Sequence, residues 1–144
     1  MSLDGAYDDD NVFAKILHGD IPAAKVFEDA HVLAFMDAFP QARGHTLVIS
    51  KQSKARNLLD VEPDVLSHMI LDVQRVARAV RAALKPDGIV VKQYNGQLAG
   101  QTVFHLHFHI IPRWADSDEQ PHATGMADPA ELAHLAKLIA ADIA

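Results

Sequence analysis

The sequence predicts an α+β fold built on an antiparallel sheet, and three observations carry that expectation. There are five short β-prone segments, and the early ones are joined by connections of hairpin length, which favours antiparallel pairing. One long stretch and one terminal stretch carry helical apolar spacing. Strands and helices are interspersed without a strict βαβ alternation.

Residues 1–10, with Asp8, Asp9 and Asp10 in succession, read as a flexible N-terminal arm, and 11–144 as a single domain. Val12, Phe13, Ile16 and Leu17 in "NVFAKILHGD" have helical spacing, with Gly19 as the stop. "AKVFED" and "HVLAFMD" are two strands around a turn at Asp29-Ala30. "FPQARGH" is a loop broken by Pro40 and Gly44, and "HTLVISK" a third, β-branched strand.

From Pro63 to Leu84 the set Val65, Leu66, Met69, Ile70, Val73, Val76, Ala77, Val80 and Leu84 repeats at i, i+3, i+4 and i+7, which is a helix ended by "KPDG". Arg75, Arg78 and Arg81 belong to its solvated side. "GIVVKQYNG" (88–96) is the fourth strand, "QLAGQT" a glycine-containing loop, and residues 103–111 the fifth strand. A polar stretch follows Arg113, then a last helix from Pro129 to the C-terminus.

Composition narrows the function classes. A chain of 144 residues with 49% hydrophobic and 22% charged residues suits one ordinary globular core. Its net charge of −6 argues against a nucleic-acid or anionic-membrane partner. The absence of cysteine removes disulfides and thiolate metal sites. No apolar run approaches the roughly 20 residues of a membrane span, and "MSLDGAYDDDN" lacks a signal-peptide core. A cytoplasmic chain is the expectation.

The chemistry is concentrated in "HLHFHIIPR", residues 105–113. Strand geometry puts His105, His107 and His109 on one face and Phe104, Leu106, Phe108 and Ile110 on the other. The apolar face requires a cover, for which the 63–84 helix is the candidate, and the histidine face is expected to be the open one. Three readings are available: accidental packing, a metal site completed by a residue such as His45, or a nucleophilic imidazole with helpers. The third needs the least from elsewhere. "NGQLAGQT", just upstream, offers small residues and amides whose N–H groups can approach phosphate oxygens.

On these residues the chain resembles the histidine triad family, whose His-φ-His-φ-His-φ-φ pattern is met by "HLHFHII". "FAKILHGDIPAAKVFEDAHVLAFMDAFPQARGHTLVISK" resembles the N-terminal half of the family's nucleotide-binding branch, and the likeness spans roughly residues 11–113. The resemblance implies an antiparallel, meander-like sheet of about five strands with two main helices, paired across a twofold axis into a homodimer with a continuous sheet. It implies a nucleotide hydrolase or transferase acting at an α-phosphate, with His107 as nucleophile, the His105 carbonyl fixing its tautomer, and His109 and His45 beside it. Asp37 falls where the family binds ribose hydroxyls; Phe13, Ile16 and Phe35 where it lines a purine slot; and Asn95, Gly100, Gln101 and Thr102 on the phosphate and leaving-group side.

Phosphoramidates or acyl-adenylates of adenosine are the implied substrates. The alternatives are a dinucleoside polyphosphate hydrolase, to which the ending "IIPR" is similar, and a nucleotide-binding interaction module with vestigial activity. Many relatives hold zinc with a Cys-x-x-Cys pair, a distant His and the first triad His. Here those first three positions read Asn11, Ala14 and Ser53, so no metal and no cofactor is expected.

Overall fold

The computed structural model describes residues 3–116 and 125–144; part of the polar stretch after Arg113 lies outside them. In chain order the elements are α1 (Val12–Leu17), β1 (Lys25–Glu28), β2 (Val32–Met36), β3 (Thr46–Ser50), α2 (Pro63–Leu84), β4 (Gly88–Lys92), a 3₁₀ turn (Gln97–Ala99), β5 (His107–Arg113) and α3 (Pro129–Ala140). All five strands are antiparallel, in the order β1-β2-β3-β5-β4. The expected meander therefore holds through β3 and is then broken once. β5 inserts beside β3 and leaves β4 at the edge. The apolar Phe108, Ile110 and Ile111 of β5 gain central burial, while β4 carries Lys92 on the rim.

Alternation along the strands divides the apolar residues into two layers. Val32, Ala34, Met36, Val48, Phe108 and Ile110 face the two main helices, meeting Met69, Val73, Val76 and Val80 of α2 and Leu132, Leu135 and Ile139 of α3. Leu33, Phe35, Leu47 and Ile49 face the other way, where Phe13 and Ile16 of α1 close a smaller cluster. The anticipated helix thus covers the apolar side of β5. Its apolar stripe is not wholly spent on this core, because Ile70 is 47% and Leu71 62% exposed.

Helix ends follow local chemistry. The Asn11 side chain accepts from the Phe13 and Ala14 amides and caps α1. Helix α2 ends at Lys85, a non-glycine residue in the left-handed region (φ 53°), with Pro86 following.

The last strand is shorter than its residue pattern suggests. Ser50 N–H still bonds to the Leu106 carbonyl at 3.2 Å, but Leu106 N–H donates instead to Ala55, at 3.0 Å. The Ser50 carbonyl, which an unbroken ladder would offer to Leu106, is taken at 2.6 Å by the His105 ring Nε2. A side chain has replaced a backbone donor, so the regular strand starts at His107 rather than 103. Nor is the histidine face open. His105 is 1% and His107 7% exposed, beneath α1 and the N-terminal segment.

Candidate active site

Backbone partners determine the proton on each imidazole. His107 Nδ1 lies 2.6 Å from the His105 carbonyl, which can only accept, so Nδ1 carries the proton and Nε2 keeps its lone pair. His105 Nε2 likewise donates to the Ser50 carbonyl at 2.6 Å, leaving Nδ1 to accept from the Tyr7 hydroxyl at 2.7 Å. His45 Nδ1 accepts from the Gln41 backbone N–H at 3.0 Å, so its proton is on Nε2. That Nε2 sits 2.9 Å from His109 Nδ1 and 3.4 Å from Asp37 Oδ2. His109 then accepts at Nδ1 and presents Nε2–H.

Burial keeps these rings neutral. It pushes His107 down to about 3, and His45 and His109 to about 4; it lowers His105 too, against the opposing bond to Ser50. Lys92 adds to the effect on His45 and His109. It is paired across the sheet with His109, on the same face, and its ammonium donates to Gln41 Oε1 at 3.2 Å. Asp37 moves the other way, raised to about 6 by burial, although the Phe39 amide bonded to its Oδ1 at 2.8 Å opposes the shift.

The apolar candidates converge on the same place. Phe13 packs edge-to-face on His107 at 4.8 Å and on Phe35 at 5.8 Å, and Ile16 completes the buried cluster. The loop candidates divide. Gly100 (φ 115°) packs under the Tyr94 ring, and Thr102 is exposed.

Gln101 does not offer its side chain to the site. Its Oε1 accepts from Gly96 N–H at 2.8 Å and its Nε2 donates to the carbonyls of Arg56 and Val103, at 2.7 and 3.0 Å. Both amide protons are spent, one beside the loop at Val103 and one on the distant Arg56 segment. Asn95 Oδ1 is similarly occupied, accepting from Leu58 N–H and from Gln93. These two residues shape the loop rather than reach out of it.

Residues 18–116 match the HIT domain. The chain belongs to the HIT family. The sheet and two main helices have the HIT fold, superposing with a TM-score of 0.90 on a Hit-like protein involved in cell-cycle regulation from Bartonella henselae. That protein is 46% identical, with 96% of this chain and 99% of that one covered. A zinc-bound histidine triad family protein from Mycobacterium smegmatis superposes at 0.80, with 36% identity and 93% of each chain. The adenosine 5'-monophosphoramidase hnt1 of Schizosaccharomyces pombe is 39% identical over 102 residues, 71% of this chain and 73% of that one.

Zinc in a HIT relative makes the donor set worth testing, and it fits poorly here. Asn11 caps α1, Ala14 has no donor, and Ser53 Oγ donates to Glu62 while accepting from Ala55 N–H. Both ring nitrogens of His105 are engaged. Asp37, His45 and His109 do cluster within 4.8 Å. A cation among them would need the His45 Nε2 lone pair, yet the Gln41 N–H forces the proton onto that nitrogen.

Sequence reasoning missed Tyr7, Ser50, Gln41 and Lys92. Tyr7 alone left a signal, as a lone aromatic residue within an acidic arm.

Proposed function

We propose that this HIT protein is a nucleotide hydrolase or transferase acting at the α-phosphorus of adenosine derivatives through a nucleotidyl-histidine intermediate. The observation that carries the reading is the 2.6 Å bond from His107 Nδ1–H to the His105 carbonyl. It leaves a neutral imidazole with one free nitrogen, the form that attacks phosphorus. Burial keeps that nitrogen unprotonated at any pH above about 4.

In the first step a bond forms between His107 Nε2 and the α-phosphorus while the bond to the leaving group breaks, and a leaving amine departs with a proton taken from solvent. Water then attacks the same phosphorus and returns a proton to solvent, the P–N bond to His107 breaks, and His107 is restored with the nucleoside monophosphate released. His109 Nε2–H, the Thr102 hydroxyl and backbone N–H groups of the loop supply donors to the charge that gathers on the phosphoryl oxygens. Phe13, Ile16 and Phe35 take the base, and Asp37 Oδ2 the ribose hydroxyls. The likeness to an adenosine 5'-monophosphoramidase supports a phosphoramidate as substrate.

One observation favours the second reading, a dinucleoside polyphosphate. Lys92 sets a full positive charge beside His109, where a leaving group carrying phosphates would gain and a neutral amine would not. Incubation with a panel of adenosine phosphoramidates, acyl-adenylates and dinucleoside polyphosphates, without added metal, separates the two. Acid-quenched mass spectrometry should find the nucleotidyl adduct on His107. A chain that binds adenosine monophosphate but turns over nothing in the panel would be a binding module instead.

We also assign a homodimer. β4 is an open sheet edge, and Ile70, Leu71 and Ala77 of α2 with Ile89 and Val91 of β4 line an apolar groove between the two elements. A second copy placed edge to edge covers both at once and continues the sheet. Sedimentation equilibrium checks this, with Val91→Glu expected to yield monomers.

A further inference from the structure

The N-terminal segment is the part of the chain with the least reason to be ordered, and it makes the most directed contact near the nucleophile. Tyr7 reaches His105 Nδ1 at 2.7 Å, with the rings tilted at 5.6 Å. His105 Nε2 donates to the Ser50 carbonyl, so Nδ1 can only accept and the phenol proton points to it. Burial raises the Tyr7 pKa, so the hydroxyl stays a donor throughout the working range.

Three further contacts seat the segment. Asn57 Nδ2 donates to the Leu3 carbonyl at 3.1 Å, Asp9 pairs with Lys54 at 2.8 Å, and a Cβ at Gly5 would collide with the Arg56 guanidinium. The Asp9–Lys54 pair is 69% exposed on both sides, so it adds little to the hold.

His105 is gripped at three points: Nδ1 by Tyr7, Nε2 by the Ser50 carbonyl, and its own carbonyl by His107 Nδ1–H. The first of these comes from outside the sheet. We propose that Tyr7 is a positioning residue, whose phenol locks the His105 ring and so aims the carbonyl that holds His107 in its nucleophilic tautomer. Without it, His105 Nδ1 is a bare lone pair in a pocket of dipoles. The ring then rotates away from Ser50 or takes a proton, and an imidazolium two residues from the nucleophile draws electron density from it. The arm expected to be a flexible appendage becomes one end of a relay running Tyr7, His105, His107. This inference rests on His107 being the nucleophile.

The test is Tyr7→Phe in the full chain, which keeps the ring and deletes one oxygen. Hydrolysis of a fluorogenic adenosine phosphoramidate is followed against pH, and imidazole nitrogens are followed by ¹⁵N NMR in the free protein. KM should stay within about twofold, while kcat falls roughly three- to tenfold, the equivalent of one neutral hydrogen bond. The loss should deepen on the acid side as His105 begins to titrate nearer the ordinary histidine value of about 6.5. The His105 Nδ1 resonance should move to that of an unbonded nitrogen.

An unchanged kcat and pH profile overturns the proposal. So does a loss of kcat with unmoved His105 nitrogens and an unaltered profile, since that is a packing effect. His107→Ala on the same substrate separates the two readings: activity there refutes the nucleophile, whereas the His105 resonances report on Tyr7 regardless.

Discussion

The two faces of β5 are closed by opposite means. Phe108 and Ile110 are buried by α2 and its neighbours through undirected apolar contact. His107 and His109, one residue over, are held by bonds of fixed direction to a carbonyl and to another imidazole. Apolar packing tolerates small shifts and changes of shape, so that face specifies the fold. The histidine face tolerates neither, because each bond settles which nitrogen keeps its proton. On the proposed function one strand carries stability on one side and reactivity on the other, and substitutions should separate them.

The widest separation is expected at His107. Replacing it by alanine should abolish turnover by several orders of magnitude while the chain folds and binds adenosine monophosphate, since the covalent route is lost and the slot remains. Turnover within tenfold of the parent chain would disprove the covalent mechanism. Its converse lies three residues along. Ile110→Ala, at a position with 0% exposure, should cost about 2–5 kcal/mol of stability in urea melts. The kcat of the folded fraction should stay the same. A matched fall in kcat would show that the faces are not independent.

Acid comes next, because it acts on the two kinds of burial unequally. His45, His105, His107 and His109 have depressed pKa values in the folded chain, so the unfolded chain binds more protons below about 6.5. Their contribution is present above that pH and is lost as pH falls. Asp37 is raised to about 6 by burial, and Asp72 by burial and its bond to Asp29; these take up protons first in the folded state and oppose the trend. Four groups against two leaves a net loss between pH 6.5 and 4, at roughly 1.4 kcal/mol per net proton per pH unit. Chemical melts across that range check the sign. Stability that rises on acidification would mean the rings are not held neutral.

These outcomes bear on how much could be read in advance. Periodicity alone predicted α2 from Pro63 to Leu84 and the two-sided character of β5, because both depend on residue spacing. The end of the β5 ladder was not legible. It depends on the His105 ring outcompeting the Leu106 amide for Ser50, a contest between residues 55 positions apart. Gln101 was legible as a loop residue but not in its role: an amide that could donate to phosphate can equally bridge Gly96, Arg56 and Val103, and only the folded loop decides. Tyr7 belonged to a segment whose charge pattern points to solvent.

A smaller effect is expected at Asp37, to which the proposed function gives both roles. Its Oδ1 accepts from Phe39 N–H as a loop cap, and its Oδ2 faces His45. A hydrogen bond to a charged group is worth on the order of 1.5–3 kcal/mol, so Asp37→Asn should weaken adenosine monophosphate binding about ten- to hundredfold. The 2',3'-dideoxy analogue, which lacks both hydroxyls, should change far less. Equal losses for the two ligands in calorimetry would reduce Asp37 to a cap.

The smallest expected effect is none, from chelation. A zinc site shared between α1 and the histidine face would tie the two together, and the residues are placed against it. Asn11 spends its oxygen on the α1 amides, Ser53 bonds Glu62, and His105 has a partner on each nitrogen. Metal binding in a structural site is folding free energy, so its removal would register strongly in stability. Overnight treatment with a strong chelator should leave both the thermal midpoint and the turnover unchanged. About one zinc per chain by elemental analysis, with a fall in the midpoint on its removal, would mean that His105 gives up Tyr7 for the ion. The phenol would then be a substitute for the metal rather than a fixed member of the relay, and the histidine face would be held by coordination instead of hydrogen bonds.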